Sequence, residues 1–423
     1  MHTENMGTED AIAPSESRFR FFMSCIRCLY VSGQATDQIY RVTQRLADSQ
    51  GVQVRLSLRW GEIRLLMEQD GRRIQAHETA DPTGISMNRV AATNRLIEDV
   101  MAGTITLDDA QRRMTEIASS SSNSLGVFML AAGAGASAMA YIYDVHHLLS
   151  VAIIFVSAAL GALLRRNVTR FSHNALVPPF LAALLAGVIG AWAVYADISS
   201  AERLIALCPC MIMVPGPHYL NALLDIAHGR LHLGLTRLAF ACIVIFTVSM
   251  GLVLGLMAFD ARLPSDIQAS APPWYIDMTA AAVAIASFAT FFSMPRNMLL
   301  WPVLVGTLCH GMRWLLINAM GMSMAGATFI ACFIVGAILA TISHRKHLPF
   351  AAAGFAAVVS MMPGIFLFSA ASSFLGISTH PNIQVIIAMT ANIALAFSLI
   401  LAIGAGLLIP KMITDSVNQR FNW

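Results

Sequence analysis

Charge is the scarcest commodity in this sequence of 423 residues. Only 12% are Asp, Glu, Lys or Arg, against about 25% in a soluble domain. Lysine occurs twice, at Lys346 and Lys411, and neither follows a glycine. That excludes a Gly-Lys phosphate-binding loop. With no Asp-Lys-Thr-Gly segment either, ATP is not the encoded energy source. No His-Glu-x-x-His pair occurs, so a zinc-peptidase helix is excluded as well. There is no basic run and no nucleic-acid motif. Cysteines number seven, an odd count. Cys208, Cys242, Cys309 and Cys332 sit in apolar runs, where a free thiol behaves as a small hydrophobe, so no disulfide framework is expected. The first 17 residues are polar and hold no apolar stretch, so the reading is that no secretory signal is present and that the N-terminal part stays in the cytoplasm.

What the sequence does have is apolar length, with 57% hydrophobic residues. A spanning helix needs about 20 mostly apolar residues. Ten runs qualify: 124–143, 147–164, 174–195, 202–214, 235–258, 274–294, 297–318, 322–342, 348–375 and 382–409. The fourth is short and ends at Pro215-Gly216. The ninth is interrupted by Pro363-Gly364. Of the 25 arginines, 14 lie between Arg18 and Arg113, ahead of every long apolar run. The chain therefore divides into a polar N-terminal part and a long apolar part.

Orientation follows from the loop charges. With the N-terminal part inside, Arg165, Arg166, Arg170, Arg230, Arg237, Arg296, Arg345 and Lys346 fall in cytoplasmic loops, and Lys411 and Arg420 in the tail. The outer loops hold Arg262 and Arg203. Both termini are expected in the cytoplasm of a multi-pass inner-membrane protein, with bacterial cytoplasmic membrane as the location. The linker 259–273 divides the spans five and five. Each half has a proline-glycine break in its fourth span, and Met213-Val214-Pro215-Gly216 resembles Met361-Met362-Pro363-Gly364. An odd number of spans per half reverses the second half. Paired broken helices in such an inverted repeat are the sequence sign of a transporter site.

The expected fold class is thus an α-helical polytopic membrane protein, with ten transmembrane helices as a 5+5 inverted repeat and a small N-terminal α/β cytoplasmic domain. The boundaries are 1–122 for that domain, 123–258 for the first membrane module, 259–273 for a periplasmic linker, 274–410 for the second module and 411–423 for a cytoplasmic tail. In the N-terminal domain, 18–50 reads as one or two helices broken near Ser32-Gly33. Val52 to Trp60 alternates as a strand with one buried face. Further strands are expected at 62–67 and 73–77, joined through Asp70-Gly71. Helices follow at 85–102 and 107–117, the second capped by Thr106. Cys25-x-x-Cys28 has no second cysteine pair and reads as two small residues one turn apart.

Ionisable groups inside a bilayer are costly and mark function. After Pro215-Gly216, helical spacing puts His218, Asn221, Asp225, His228 and His232 on one face. A helix start there offers free N–H groups suited to a carboxylate. The competing reading is an amphipathic helix lying at the interface, to which His228 and His232 belong. Asp225, His228 and His232 make an incomplete metal set, and no metal site or cofactor is expected. The second cluster is His310-Gly311-Met312-Arg313, in mid-span. Arg313 needs a carboxylate, a carbonyl or an anionic ligand, and His310 titrates near neutral pH. Cys208-Pro209-Cys210 reads as a kink between two small residues. Gly321-Met322-Ser323-Met324-Ala325 misses a nucleophile elbow, so no enzyme is expected.

The run Met213 to Asp225, continuing to Gly229, Gly234 and Arg237, resembles the signature of the threonine/serine exporter family. Gly306, His310-Gly311, Arg313 and Met362-Pro363-Gly364 are similar to the pattern of that family's smaller C-terminal module. The resemblance covers nearly the whole chain, with the two modules fused. It implies secondary export of small hydrophilic amino acids, threonine and serine, driven by the proton gradient. A dicarboxylate such as succinate is the alternative cargo. The candidate site is Pro215, Gly216, His218, Asn221, Asp225, His310, Arg313, Pro363 and Gly364, with Asp225 carrying the proton and Arg313 meeting the substrate carboxylate. Partners are then the substrate, protons and the lipid bilayer. A homo-oligomer is suggested by the small residues Ala131 to Ala138, which allow close helix packing.

Overall fold

The computed structural model describes residues 14–69, 71–120, 123–172, 174–198, 202–259, 261, 271–346, 350–377 and 382–421. They fall into two compact units, Met1–Ser121 and Ser122–Trp423.

In the first unit, α1 (Pro14–Val31) and α2 (Thr36–Ser49) precede β1 (Gln53–Arg59), β2 (Gly61–Gln69) and β3 (Arg72–Ala80), followed by α3 (Met87–Met101) and α4 (Leu107–Ser119). The strands form one antiparallel sheet in sequential order. Leu56 pairs with Leu65, and Leu65 with Ala76, on one face. Their neighbours Arg55, Arg64 and His77 point the other way, and that face is exposed. The period-2 pattern therefore sets which face the helices cover. Ile63, Leu65 and Met67 are buried with Phe21, Phe22, Ile26 and Leu29 of α1. β2 and β3 run longer than the sequence suggested, because the alternation continues through Glu68-Gln69 and Glu78. Asp70, in the expected β2–β3 turn, lies outside the described residues, while Gly71 takes the positive φ of +75° that such a turn requires. Cys25 and Cys28 are both buried in α1, with the Cys25 sulfur on Met114 at 3.7 Å and Thr93 donating to Cys28 at 3.4 Å. Burial, with Cys28 beside it, pushes the Cys25 thiol well above the usual thiol range.

The second unit is entirely helical among the described residues: α5 (Leu125–Ile142), α6 (Leu148–Val168), α7 (Val177–Tyr195), α8 (Glu202–Met211), α9 (Gly216–Ala227), α10 (Leu231–Leu256), α11 (Trp274–Phe291), α12 (Leu300–Asn318), α13 (Met324–Lys346), α14 (Phe350–Val358), α15 (Gly364–Ile377) and α16 (Ile383–Phe421). Eight helices are long and apolar enough to cross a membrane, or ten spans if each of two bent pairs counts as one. The bent pairs are α8 with α9, at 51°, and α14 with α15, at 63°. The chain is a polytopic membrane protein.

Contacts among these helices come in two matching sets. α5 packs on α6, α6 on α7, α7 on α10 and α9 on α10. In the same order α11 packs on α12, α12 on α13, α13 on α16 and α15 on α16. α5 and α11 pack on each other. The α7–α10 crossing is close because it is lined by glycine: a Cβ on Gly187 would lie 2.4 Å from the Leu252 carbonyl, and one on Gly255 2.3 Å from that of Leu184.

Two expectations need correction. α9 does not lie along an interface, since His218, Asn221 and Asp225 are all buried. His232 is not on that helix at all, because the turn at Gly229 (φ +75°) ends α9 and starts α10. The small residues of α5 allow close packing inside the chain, Gly133 against Phe155 and Gly135 against Ser287. Most of the linker 259–273, including Arg262, lies outside the described residues.

Candidate functional site

Each break arises where proline interrupts the helical ladder. Pro215 has no N–H to donate. Its carbonyl instead accepts from His218 and Tyr219 at 3.1 and 3.2 Å, which starts α9. In the second half, Val358 closes α14, a tight 3₁₀ turn covers Val359–Met361, and Met362 is extended before Pro363. The Pro363 carbonyl then accepts from Leu367 at 3.1 Å.

The two breaks abut. A Cβ on Gly216 would come within 1.8 Å of the Phe355 ring, and one on Gly364 within 3.1 Å of Val214. The space between them has room for about 10 Å³, is apolar and is walled by Met139, Met211, Phe288, Phe355 and Met362. Gly216 is thus required for the close approach, while at Gly364 a Cβ would be tight and Val214 would have to give slightly. In this conformation the breaks meet as a hydrophobic closure.

Polar groups gather in two separate clusters. On the first, Asp225 of α9 faces Arg237 of α10 at 3.4 Å and Arg230 of the turn at 3.5 Å. Asp225 and Arg237 are 1% and 2% exposed, so the pair is shut away from solvent. Two guanidinium groups compensate the carboxylate's charge, as burial requires. His218 stands edge-on to Phe240 of the same α10, 5.1 Å between ring centres. Arg237 had been read as a loop charge, but it is a buried residue of α10.

In the second cluster, His310 of α12 bridges two elements. Its Nε2 is 2.9 Å from Oδ2 of Asp277 in α11, and its Nδ1 is 2.9 Å from Oγ of Ser360, in the turn before the second break. His310 and Asp277 are buried. A neutral imidazole can donate from Nε2 to the carboxylate while accepting from the serine hydroxyl; an imidazolium can donate to both. The site therefore satisfies either protonation state. One turn on, Arg313 Nε donates to Thr328 Oγ1 at 2.8 Å, and Thr328 in turn donates to the Met324 carbonyl at 2.7 Å. Asp277 and Tyr143 are near enough to Arg313 to interact with it electrostatically.

The structure therefore brings Pro215, Gly216, Pro363 and Gly364 together. It places Asn221 and Asp225 on one side of them and His310 and Arg313 in a different cluster. Asp277 and Ser360 were missed in the sequence. Asp277 had a readable signal, as a carboxylate within an apolar run; Ser360 had none. His228 is exposed and its Nδ1 is 2.8 Å from the Leu224 carbonyl. Among the described residues no group of three or more His, Cys, Asp or Glu could hold a metal. Ser323 caps α13, accepting from the Gly326 N–H at 3.2 Å.

Two protein families match this chain. The threonine/serine exporter family ThrE matches residues 20–259, and the threonine/serine exporter family ThrE_2 matches residues 277–413. No solved structure matches the chain.

Proposed function

From the premise that the chain belongs to the threonine/serine exporter family, a family of transporters, we propose that it exports threonine and serine in exchange for protons, with His310, Asp277 and Ser360 as the proton-handling group. The observation that carries this reading is the His310 bridge. A histidine held between a buried carboxylate and a hydroxyl can take up or release a proton with both ring nitrogens still bonded. It also joins α11 and α12 to the turn at the second break, so its charge bears on how that break sits. Asp225 was the first choice as proton carrier. Its two arginine neighbours suit a fixed negative charge, and we assign it a structural role in holding α9 against α10.

The matching helix contacts support an inverted repeat of five spans and five, α5 to α10 corresponding to α11 to α16 with each bent pair counted once. The excess of arginine and lysine in one set of loops supports cytoplasmic termini. In this arrangement Arg313 is the anion contact on the outer side of the breaks. Small amino acids fit a site closed by apolar side chains and lined at its edges by a few polar groups. The family match lends no support to a dicarboxylate cargo.

The test is uptake of labelled L-threonine by inside-out vesicles. Uptake that needs a proton gradient and collapses with a protonophore supports the reading. Threonine uptake no greater than in vesicles without the protein overturns it, and uptake indifferent to the protonophore overturns the proton coupling alone.

A further inference from the structure

Arg165 of α6 has a guanidinium nitrogen that is closed to solvent and unpartnered among the described residues. It lies in the last turn of that helix, not in the loop that follows. Its neighbour Arg166 donates to the Asn123 carbonyl at 2.6 Å. Arg165 instead stacks on Phe291 at 5.2 Å, and its Nη1 is closed to solvent with no hydrogen-bond partner among the described residues. The group lines a narrow cavity with Ser157, Gly161, Ala182, Pro209 and Ile212. Counted between its walls the cavity has about 240 Å³, but its bare room in this conformation is that of a water molecule.

Ser157 supplies an independent observation. It is 1% exposed, it lines the same cavity, and its hydroxyl has no partner among the described residues. The usual solution for a hydroxyl in an apolar helix is to bond the carbonyl one turn back, and Thr236, Ser249, Thr290 and Ser398 all do so. Ser157 does not. A guanidinium nitrogen closed to solvent and a buried hydroxyl, both without a partner among the described residues and both on one cavity, are costly without an anion to receive them. The planar fork of an arginine matches a carboxylate, and a serine O–H adds a further donor.

The cavity adjoins the first break, through Pro209, Ile212 and Met213. In the inverted repeat α6 corresponds to α12, the helix of Arg313. Each half then carries an arginine on its second helix, one on either side of the abutting breaks. We propose that Arg165 and Ser157 form a carboxylate-binding station on the cytoplasmic side, which holds the carboxylate of the amino acid before it passes the breaks to Arg313. The inference rests on the export reading and on the repeat.

The test uses the full chain in liposomes, with threonine presented from each side in turn. Arg165→Gln is expected to raise the half-saturating concentration from the cytoplasmic side roughly tenfold, the scale of a lost charge-assisted contact. From the outer side it should change by less than about twofold. Arg165→Lys should fall between. Independently, Ser157→Cys should react with a methanethiosulfonate sulfonate above the wild-type baseline. L-Threonine should slow that reaction, and L-threoninamide, which lacks the carboxylate, should not. If Arg165→Gln does not fold, the labelling result decides alone. If wild type carries threonine while Arg165→Gln is kinetically silent, or while threonine fails to protect the Ser157→Cys thiol, the station is overturned and the export reading stands. If wild type carries no threonine, both fall.

Discussion

Gly216 sits so close to Phe355 that any Cβ on it would enter the ring, 1.8 Å from Cε2. The contact joins the start of α9 to α14 and so locks the break of one half against the helix before the break of the other. On the proposed export route, substrate passes the breaks only when this contact opens. Gly216→Ala should cost about 1–3 kcal/mol of stability by overpacking and should lower the threonine flux. Phe355→Ala in the same chain should return both towards wild type. Thermal unfolding in detergent and vesicle flux measure the two effects, and a double variant no better than Gly216→Ala would show that the glycine matters for another reason.

The His310 bridge predicts a division between two kinds of transport. His310→Gln and Asp277→Asn remove the imidazole or its carboxylate partner and keep the shape. Threonine-for-threonine exchange, which moves no net proton, should survive in both. Accumulation against a threonine gradient should fail in both. Ser360→Ala removes one of the two bonds that satisfy the imidazole and should weaken accumulation without abolishing it. Coupled accumulation persisting in Asp277→Asn would return the proton to Asp225.

Asp225 and Arg237 predict a stability effect in place of a coupling effect. Removing one member of a buried ion pair leaves the other charge stranded and costs about 3–5 kcal/mol. Asp225→Asn should therefore lower the unfolding temperature and the amount of protein in the membrane. Adding Arg237→Gln should recover part of the loss, since the half-buried Arg230 can turn towards water. An Asp225→Asn protein of wild-type stability that exchanges threonine but cannot accumulate it would contradict this assignment.

How much of this was legible without coordinates differs by residue. The breaks were, because proline removes a backbone donor wherever it stands, and Pro215-Gly216 and Pro363-Gly364 recur in matching positions. That the two breaks touch was not, since nothing in one helix encodes the Phe355 ring of another. Asp225 was picked out as a charge in an apolar setting, but its partner Arg237 was assigned to a loop. The reason is that Arg237 stands two residues inside the apolar run 235–258, where an arginine can belong as well to the interface as to the interior. Arg165 was misread in the same way: one turn from a helix end, an arginine can snorkel to water or turn inward, and sequence spacing does not distinguish the two. Ser360 carries no sequence signal, because a lone serine in an apolar run is common and only the approach of His310 gives it a role.

The first unit offers a prediction that does not depend on transport. Thr106 caps α4: its Oγ1 accepts from the Asp109 N–H at 3.3 Å, and its hydroxyl reaches the Asp109 carboxylate at 2.9 Å. That hydroxyl, and then Arg112, which is paired with the same carboxylate, hold the Asp109 carboxyl below the usual aspartate range. A carboxyl whose pKa is depressed on folding stabilises the fold above its unfolded value and loses that contribution as the pH falls through the folded one. The first turn of α4 should therefore loosen only at pH values below about 4, the ordinary aspartate value. Thr106→Ala removes both the cap and the larger of the two influences on Asp109. Amide exchange in the first turn of α4 should then speed up about fivefold at neutral pH, on the scale of a lost N-cap. The acid loosening should also move up towards the ordinary aspartate value. Exchange rates across α4 unchanged by Thr106→Ala would mean that packing of Ala110 and Met114 alone holds the helix start.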